Sequence, residues 1–360
     1  MRKGVTPWIA AGFLAIAGCG AAVDSADTVA EWAVADAVWI GAVEGDGPDV
    51  FGSISALAVD ADGRILVFDD QAHELRTFAP DGSFLSRFGR RGGGPGEFKH
   101  VIGLSPAPDG SLWIVDGQNA RYTVLRDGAV VATYRRGAGV YTVPWVGGHG
   151  GEYLYDVVLV PGGDPGEVLV RVNADGVATG TSPVPVESIE MPRIGSIELP
   201  LPFAPRQLRA FDPAGFVWTA NSHVYALYRI GPGGDTVQVI TQPIEPRPLT
   251  AAESDSVARY IRTMRSEFGV DVRDALVPRT APLLRRITIA DDGSIWVTPA
   301  DPPAGSPRGT RFDIFEPGGR RVAELTLDFP FTLQQVRNGR IYGVARDELG
   351  VERVFTARVP

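Results

Sequence analysis

The sequence predicts an all-β fold built from repeated four-stranded units, and three observations lead to this prediction. Residues 110–125, GSLWIVDGQNARYTVL, follow the same pattern as residues 63–78, GRILVFDDQAHELRTF: a glycine, an apolar run, an Asp, a polar turn and a second apolar run. The glycine and the strand after it recur at Gly63, Gly110, Gly151, Gly215, Gly293 and Gly339. A second family of turns falls between them, at Asp81-Gly82, Asp127-Gly128, Asp175-Gly176, Gly233-Gly234 and Gly318-Gly319.

The spacing of the repeat indicates which β-fold it builds. Three of the five successive spacings are 47, 41 and 46 residues. A period in the forties, with a glycine turn leading into a short strand, is typical of β-propeller blades. The first glycine would lie between strands one and two of a blade, and the second turn between strands three and four. We therefore predict one six-bladed propeller over residues 31–360.

The two ends of the chain are predicted to complete one blade together. The last repeat runs VERVFTARVP to Pro360 and lacks the second turn, so its outer strand is missing. Residues 38–54 resemble the fourth strand and exit loop at 85–102, so the N-terminal strand, residues 31–43, can supply the missing strand. We predict that they pair with the final segment, because this pairing closes the ring and removes an exposed strand edge.

The two longest spacings are explained by insertions. Residues 250–269 predict a helix between blades four and five, since Thr250 and Glu253 fit a capping box. The apolar stripe expected to lie on the propeller comprises Val257, Tyr260, Ile261, Met264 and Phe268. The Pro-rich segment 181–206 is predicted to be a functional loop.

Composition and the first residues bear on location and partners. With 44% hydrophobic residues and a formal net charge of −9, the chain is an acidic globular protein. A nucleic-acid partner is not expected, because phosphate binding needs a concentrated basic face. Residues 1–18, with Arg2 and Lys3 before an apolar stretch, have the layout of an export signal.

The end of that signal, Ile16-Ala17-Gly18-Cys19, is similar to a bacterial lipobox. The similarity implies cleavage before Cys19 and acylation of this cysteine; an ordinary signal or a buried thiol is the alternative. Residues 19–30 would then be a tether to the membrane of the bacterial cell envelope. Gly20 favours the outer membrane.

The second repeat carries a family resemblance. GSLWIVDGQNARYTVL, with GRRGGGPGEF before it, resembles the NHL-repeat propellers and, more broadly, the six-bladed propeller lipoproteins of bacteria. The family pattern is matched at Asp116, Asn119 and Arg121, whereas the first repeat keeps only Asp69. The resemblance implies a platform for protein, glycan or peptide ligands, or a metal-dependent lyase or lactonase.

Polar residues at the turns have a structural and a functional interpretation. Asp69, Asp116 and Asn119 are expected to bond their own backbone, and Arg121 to pair with Asp116; a ligand contact is the alternative. The loop 89–98, GRRGGGPGEF, lacks the Lys-Ser/Thr and the helix of a phosphate loop. We expect it to let the chain cross between blades.

The candidate ligand site consists of residues just before the innermost strands, which would ring the mouth of the central channel. The set comprises Arg91, His100, Trp145, Arg206 and Arg285, with Arg90, Arg136, Tyr141 and Arg286 near them. Arginines and aromatic rings suit a carboxylate, glycan or peptide ligand. The alternative is that the arginines lie over blade edges and pair with carboxylates.

Three functions follow as hypotheses. The leading one is a non-catalytic binding platform tethered through Cys19, with a protein, peptide or glycan as its ligand. The rival is a metal-dependent lyase or lactone hydrolase at the channel mouth. A divalent metal stays open because blades converge on one axis, but His73, His100, His149 and His223 show no zinc-motif spacing and no metal ligand is assigned. The third is a purely architectural envelope component.

Overall fold

The computed structural model describes residues 29–136, 148–150, 153–159, 167–183, 192–194, 197–212, 215–302 and 308–360. These residues form an all-β propeller with one α-helix. In chain order the strands are β1 (Ala30–Trp32), β2 (Ala35–Ile40), β3 (Ile54–Val59), β4 (Ile65–Asp69), β5 (Glu74–Phe78), β6 (Phe84–Phe88), β7 (Val101–Pro106), β8 (Leu112–Asp116), β9 (Arg121–Arg126), β10 (Ala129–Arg135), β11 (Gly148–Gly150), β12 (Tyr153–Leu159), β13 (Glu167–Val172), β14 (Ala178–Pro183), β15 (Arg193–Ile194), β16 (Ile197–Glu198), β17 (Gln207–Phe211), β18 (Val217–Asn221), β19 (Ala226–Ile230), β20 (Thr236–Thr241), β21 (Leu284–Ile289), β22 (Ile295–Pro299), β23 (Thr310–Phe315), β24 (Arg321–Leu327), β25 (Phe331–Arg337), β26 (Arg340–Arg346) and β27 (Glu352–Arg358). The helix α1 (Ala251–Phe268) and a 3-10 turn (Asp274–Leu276) lie between β20 and β21.

Most sheets contain strands that follow one another in the chain. Four-stranded antiparallel sheets are formed by β3–β6, by β7–β10, by β11–β14 and by β17–β20, and another by β2 with β25–β27. The strands β21–β24 form a sheet with β1, and β15 pairs with β16. The first strands β11, β7, β3, β25, β21 and β17 contact one another in this order. They are therefore the innermost strands of the propeller.

The predicted number of four-stranded blades is not confirmed. The described residues form five four-stranded sheets, and the β21–β24 sheet has five strands because β1 adds to its outer edge. The expected insertion of the helix between blades four and five depends on the same count, so it stays a prediction.

The predicted pairing of the two chain ends is confirmed, but the predicted single strand over residues 31–43 is wrong. β2 pairs antiparallel with β27, with Trp39 opposite Phe355 and Ile40 opposite Val354. The residues before it form β1, which runs parallel to β24 in another sheet, with Glu31 opposite Glu324. The segment divides because each part completes the edge of a different sheet.

The two predicted families of turns are confirmed wherever the structure describes them. In the β7–β10 sheet, Gly110 has φ +80° between the first two strands and Gly128 has φ +74° between the last two. These left-handed conformations favour glycine because a side chain would be strained there. Gly151 lies outside the described residues.

The predicted helix and its capping box are confirmed. The Thr250 side chain accepts the N–H of Glu253, and the Glu253 carboxylate accepts the N–H of Thr250 at 2.8 Å. The predicted apolar stripe is only partly correct, since Val257 and Met264 are buried whereas Phe268 is 53% exposed. In the described part of the chain, no helix combines the length and apolarity that crossing a membrane requires.

The hydrophobic core lies between neighbouring sheets. One cluster joins Phe68 of β4, Phe98 of the crossing loop and Ile114 of β8, which are all fully buried. Another joins Trp296 of β22 to Leu333 of β25. Each sheet therefore supplies one wall of the core of its neighbour.

Candidate functional site

The buried aspartates of the repeat have a structural role. Asp116 is fully buried, and its carboxylate accepts the main-chain N–H groups of Lys99, His100 and Asn119 at 3.1–3.3 Å. The Asn119 amide donates a further bond to it at 2.7 Å. Asp69 accepts the N–H groups of the two residues before β3 in the same way. The bond from the Asn119 N–H confirms the predicted capping of the turn, and Asp69 accepts the N–H groups of its own turn likewise. Each Asp also ties the end of a second strand to the start of its inner strand, which was not predicted from the sequence.

The expected pair between Arg121 and Asp116 is wrong. Arg121 donates instead to the carbonyl oxygens of Gly93 at 2.7 Å and Gly94 at 2.9 Å. The reason is that the loop 89–98 folds back over the start of β9, while Asn119 and main-chain donors already occupy Asp116. Within this loop, Arg90 pairs with Glu97 at 2.8 Å. The loop connects β6 to β7, so the expected crossing between neighbouring sheets is confirmed.

The residues before the inner strands occupy equivalent positions, because one main-chain hydrogen bond recurs at four of them. The N–H groups of Asp70, Gly117, Ser222 and Ala300 donate to the carbonyl oxygens of Ser53, His100, Arg206 and Leu283, at 2.7–2.9 Å. Ser53, His100, Arg206 and Leu283 therefore lie on one face of the propeller, which we call the mouth face. Two of the five predicted ligand residues stand at this position.

On one side of the mouth face, His100 is already engaged. Its Nδ1 atom lies 2.9 Å from Oδ2 of Asp70, and this contact joins the β3–β6 sheet to the β7–β10 sheet. Arg91 is exposed on the crossing loop and forms an isolated bridge with Phe98. Neither residue lies at the cavity that holds the other two predicted arginines.

Arg206 and Arg285 line one cavity of about 370 Å³, which we call the arginine cavity. Arg206 stands directly before β17, and Arg285 is the second residue of β21. Two insertions also reach this cavity. Phe203 comes from the end of the Pro-rich segment, and Glu253 from the first turn of α1.

The two arginines present guanidinium groups that no carboxylate of the described residues neutralises. The main-chain N–H of Arg206 donates to Ser222 Oγ at 3.0 Å, but its guanidinium has no partner within the described ranges. Arg285 is a bulged residue, because Leu284 pairs with Pro299 and Arg286 with Thr298. A bulge redirects the side chain of the extra residue, and the Arg285 guanidinium donates only to the carbonyl oxygen of Ala300, at 2.8 Å.

A third arginine of the cavity, Arg247, is bound by two carboxylates. Arg247 donates to both oxygens of Glu253 at 2.8 Å and to Asp301 at 2.8 Å. The hydrogen bonds from Arg247 and from the Thr250 backbone lower the pKa of Glu253 to about 2. This network fixes the start of α1 to the loop after β22.

Backbone strain marks the same place. Phe203 lines the cavity with φ +60°, in the left-handed region. A bulky residue rarely adopts this conformation, and such strain is concentrated at functional sites. Arg209 is the third residue of β17. Burial lowers the pKa of its guanidinium to about 10, so the group stays charged at neutral pH.

Sequence reasoning located only part of this candidate site. It selected Arg206 and Arg285, but it missed Phe203, Arg247 and Asp301, whose place depends on how the insertions fold back. The signal for Arg247 was its position three residues before Thr250, where a cation can pair with the Glu253 of the capping box. Trp145, Tyr141 and Cys19 lie outside the described residues.

We found no candidate metal site in the part of the chain that the structure describes. No group of three or more His, Cys, Asp or Glu side chains is arranged there to hold a metal ion. His223 illustrates why: its Nε2 atom lies 3.2 Å from the Thr280 carbonyl and its Nδ1 atom 3.3 Å from Ser222 Oγ.

Comparisons with solved structures show the fold. A member of the DUF4221 family from Bacteroides vulgatus ATCC 8482 is 9% identical with a TM-score of 0.58, and the match covers 93% of this chain and 99% of that one. Virginiamycin B lyase from Staphylococcus aureus is 10% identical (TM-score 0.45, coverage 89% and 98%). The calcium-binding protein regucalcin from Agrobacterium tumefaciens strain C58 is 13% identical (TM-score 0.45, coverage 92% and 96%).

At these identities the likeness shows a propeller and nothing about activity. No protein-family model matches the sequence, and a comparison with curated proteins gives no significant match. The resemblance to NHL-repeat propellers is therefore not confirmed.

Proposed function

We propose that this chain is an envelope-tethered six-bladed propeller that acts as a binding platform for a protein, peptide or glycan ligand. The observation that carries the proposal is that Arg206 and Arg285, from neighbouring inner strands, line one cavity on the mouth face. Guanidinium groups without carboxylate partners are suited to bidentate binding of anionic groups. The five-stranded β21–β24 sheet serves as the remaining blade of the ring.

The charge of the whole protein makes this cavity distinctive. The chain has 34 Lys and Arg against 43 Asp and Glu, and removal of residues 1–18 takes away Arg2 and Lys3, so the mature balance is 32 − 43 = −11. On an acidic protein, a local cluster of arginines attracts an anionic ligand selectively, because the rest of the surface repels it.

Peptide and glycan arrays test the proposal. The protein comprising residues 20–360 should bind a restricted set of ligands, and the double variant Arg206→Ala/Arg285→Ala should lose at least about tenfold in affinity. Arg87→Ala is the matched control, since Arg87 is an exposed arginine on β6. Unchanged binding by the double variant would remove the proposed site, and stoichiometric zinc or calcium in the purified protein would favour the lyase or lactonase hypothesis instead.

The tether is a separate part of the proposal. Residues 20–29 separate Cys19 from β1, and ten extended residues reach about 35 Å at most. Acylation of Cys19 would therefore hold the propeller close to the lipid surface. Labelling with a palmitate analogue tests this, because wild type should incorporate the label and Cys19→Ala should not.

A further inference from the structure

We infer that the arginine cavity binds an organic anion with one carboxylate and an apolar body. This inference rests on the proposed function, because it uses the same cavity, and it adds the chemical class of the ligand. The argument has three steps: the charge of the cavity, the donors that remain available, and the apolar wall.

The charged residues of the cavity leave one positive charge. Three arginines, at 206, 247 and 285, face two carboxylates, Glu253 and Asp301. Arg247 binds both carboxylates, at 2.8 Å to Glu253 Oε2 and 2.8 Å to Asp301 Oδ1. The group of Arg247 with its two carboxylates therefore has a net charge of −1, and Arg206 and Arg285 together supply +2.

The donors that remain available are more than enough to bind one carboxylate. Each guanidinium has five N–H donors in a planar fork. Within the described ranges, Arg206 uses none of them and Arg285 donates only to the Ala300 carbonyl oxygen at 2.8 Å. The two oxygens of a carboxylate accept about four hydrogen bonds, so one such group can engage both arginines. A second carboxylate would meet Glu253 or Asp301 and be repelled.

The rest of the wall is apolar and limits the size of the ligand. Phe203, Leu208, Pro282, Leu284 and Pro302 line the cavity between the charged groups. A volume of about 370 Å³ lies at the small end of ligand sites, where a small molecule or one side chain fits. An aromatic or branched aliphatic body attached to the carboxylate would cover this wall.

Three phenyl compounds test the inference by ligand-observed NMR titration of the purified protein. Phenylacetate should bind, and the neutral phenylacetamide and the dicarboxylate phenylsuccinate should each bind at least about tenfold more weakly. Arg206→Ala and Arg285→Ala should each weaken phenylacetate binding by about tenfold or more, and Arg87→Ala should match wild type. Asp301→Asn should narrow the difference between phenylacetate and phenylsuccinate, because it removes one repelling carboxylate.

Several outcomes would overturn the inference. They are absence of phenylacetate binding, equal binding of phenylacetate and phenylacetamide, unchanged affinity in both cavity variants, and an equal loss in Arg87→Ala. The outcome is independent of the arrays: if phenylacetate binds through Arg206 and Arg285 but no array ligand depends on them, the platform proposal fails and this inference stands. If the arrays succeed and phenylacetate does not bind, only this inference fails.

Discussion

Two regions of the propeller share the same repeat: the first comprises the β3–β6 and β7–β10 sheets, and the second comprises the β17–β20 and β21–β24 strands. They differ in the residue at the end of the second strand of each sheet. In the first region, the second strands end in Asp69 and Asp116, opposite Ile54 and Val101. Both carboxylates are buried and accept main-chain N–H groups. In the second region, Asn221 and Pro299 stand at this position, opposite Gln207 and Leu284.

This difference explains why we place the proposed ligand site in the second region. Where the repeat keeps its Asp, the polar groups form hydrogen bonds within the fold, and Nδ1 of the predicted ligand residue His100 lies 2.9 Å from Asp70. Where the repeat has changed, two insertions reach the mouth face, and Arg206 and Arg285 keep unused donors. Departure from the repeat is thus the better guide to a site than the repeat itself.

The largest expected effect is a loss of stability in the region that keeps Asp69 and Asp116. Asp116→Ala should lower the free energy of unfolding by about 2–4 kcal/mol, because it removes a buried carboxylate that accepts three main-chain N–H groups. The control is Ser222→Ala in the second region, where a neutral hydroxyl accepts one N–H from Arg206 and about 1 kcal/mol is expected. Urea denaturation measures both, and equal losses would show that the two regions do not differ in this way.

An intermediate effect is expected at the start of α1. The pKa of Glu253 is lowered to about 2 from an ordinary 4.5, so its stabilising contribution is present above pH 4.5 and is lost as the pH falls towards 2. Arg247→Gln should raise the pKa of Glu253 towards its ordinary value, and should cost about 1 kcal/mol or less at neutral pH, as for a partly exposed ion pair. The carboxyl carbon shift of Glu253 measured by NMR against pH reports this, and an unmoved midpoint in the variant would show that Arg247 is not the cause.

The smallest effect on stability is expected at the proposed site. Arg206→Ala and Arg285→Ala should each change the free energy of unfolding by less than about 0.5 kcal/mol, since neither guanidinium pairs with a described carboxylate. The same urea experiment measures this change. A loss as large as that of Asp116→Ala would show that the arginines belong to the scaffold rather than to a ligand site.

Much of the fold was predictable because the repeat consists of short-range sequence patterns. Glycine turns, short apolar runs and the Thr250–Glu253 capping box are set by neighbours in the sequence, and each of these predictions holds where the structure describes it. The parallel addition of β1 to β24 was not predictable, since three residues carry too little pattern to specify a partner.

The site was only partly predictable for a related reason. Arg206 and Arg285 could be selected because their positions are defined by the repeat, directly before and at the start of inner strands. Arg247 and Asp301 meet through a contact between residues 54 positions apart that flank an insertion. Nothing in the periodicity of the chain encodes that meeting.

The divided pairing of the first strands has a mechanical consequence. A pull on the residues before Ala30 loads β1 first, whose register with β24 extends only from Ala30 opposite Ala323 to Trp32 opposite Leu325. These pairs can separate while β2 stays paired with β27. Trp39 of β2 also packs against Phe355 of β27, with ring centroids 4.7 Å apart. The short strand β1 would therefore separate first under such a pull, and the pairing that joins the two ends of the chain would be retained.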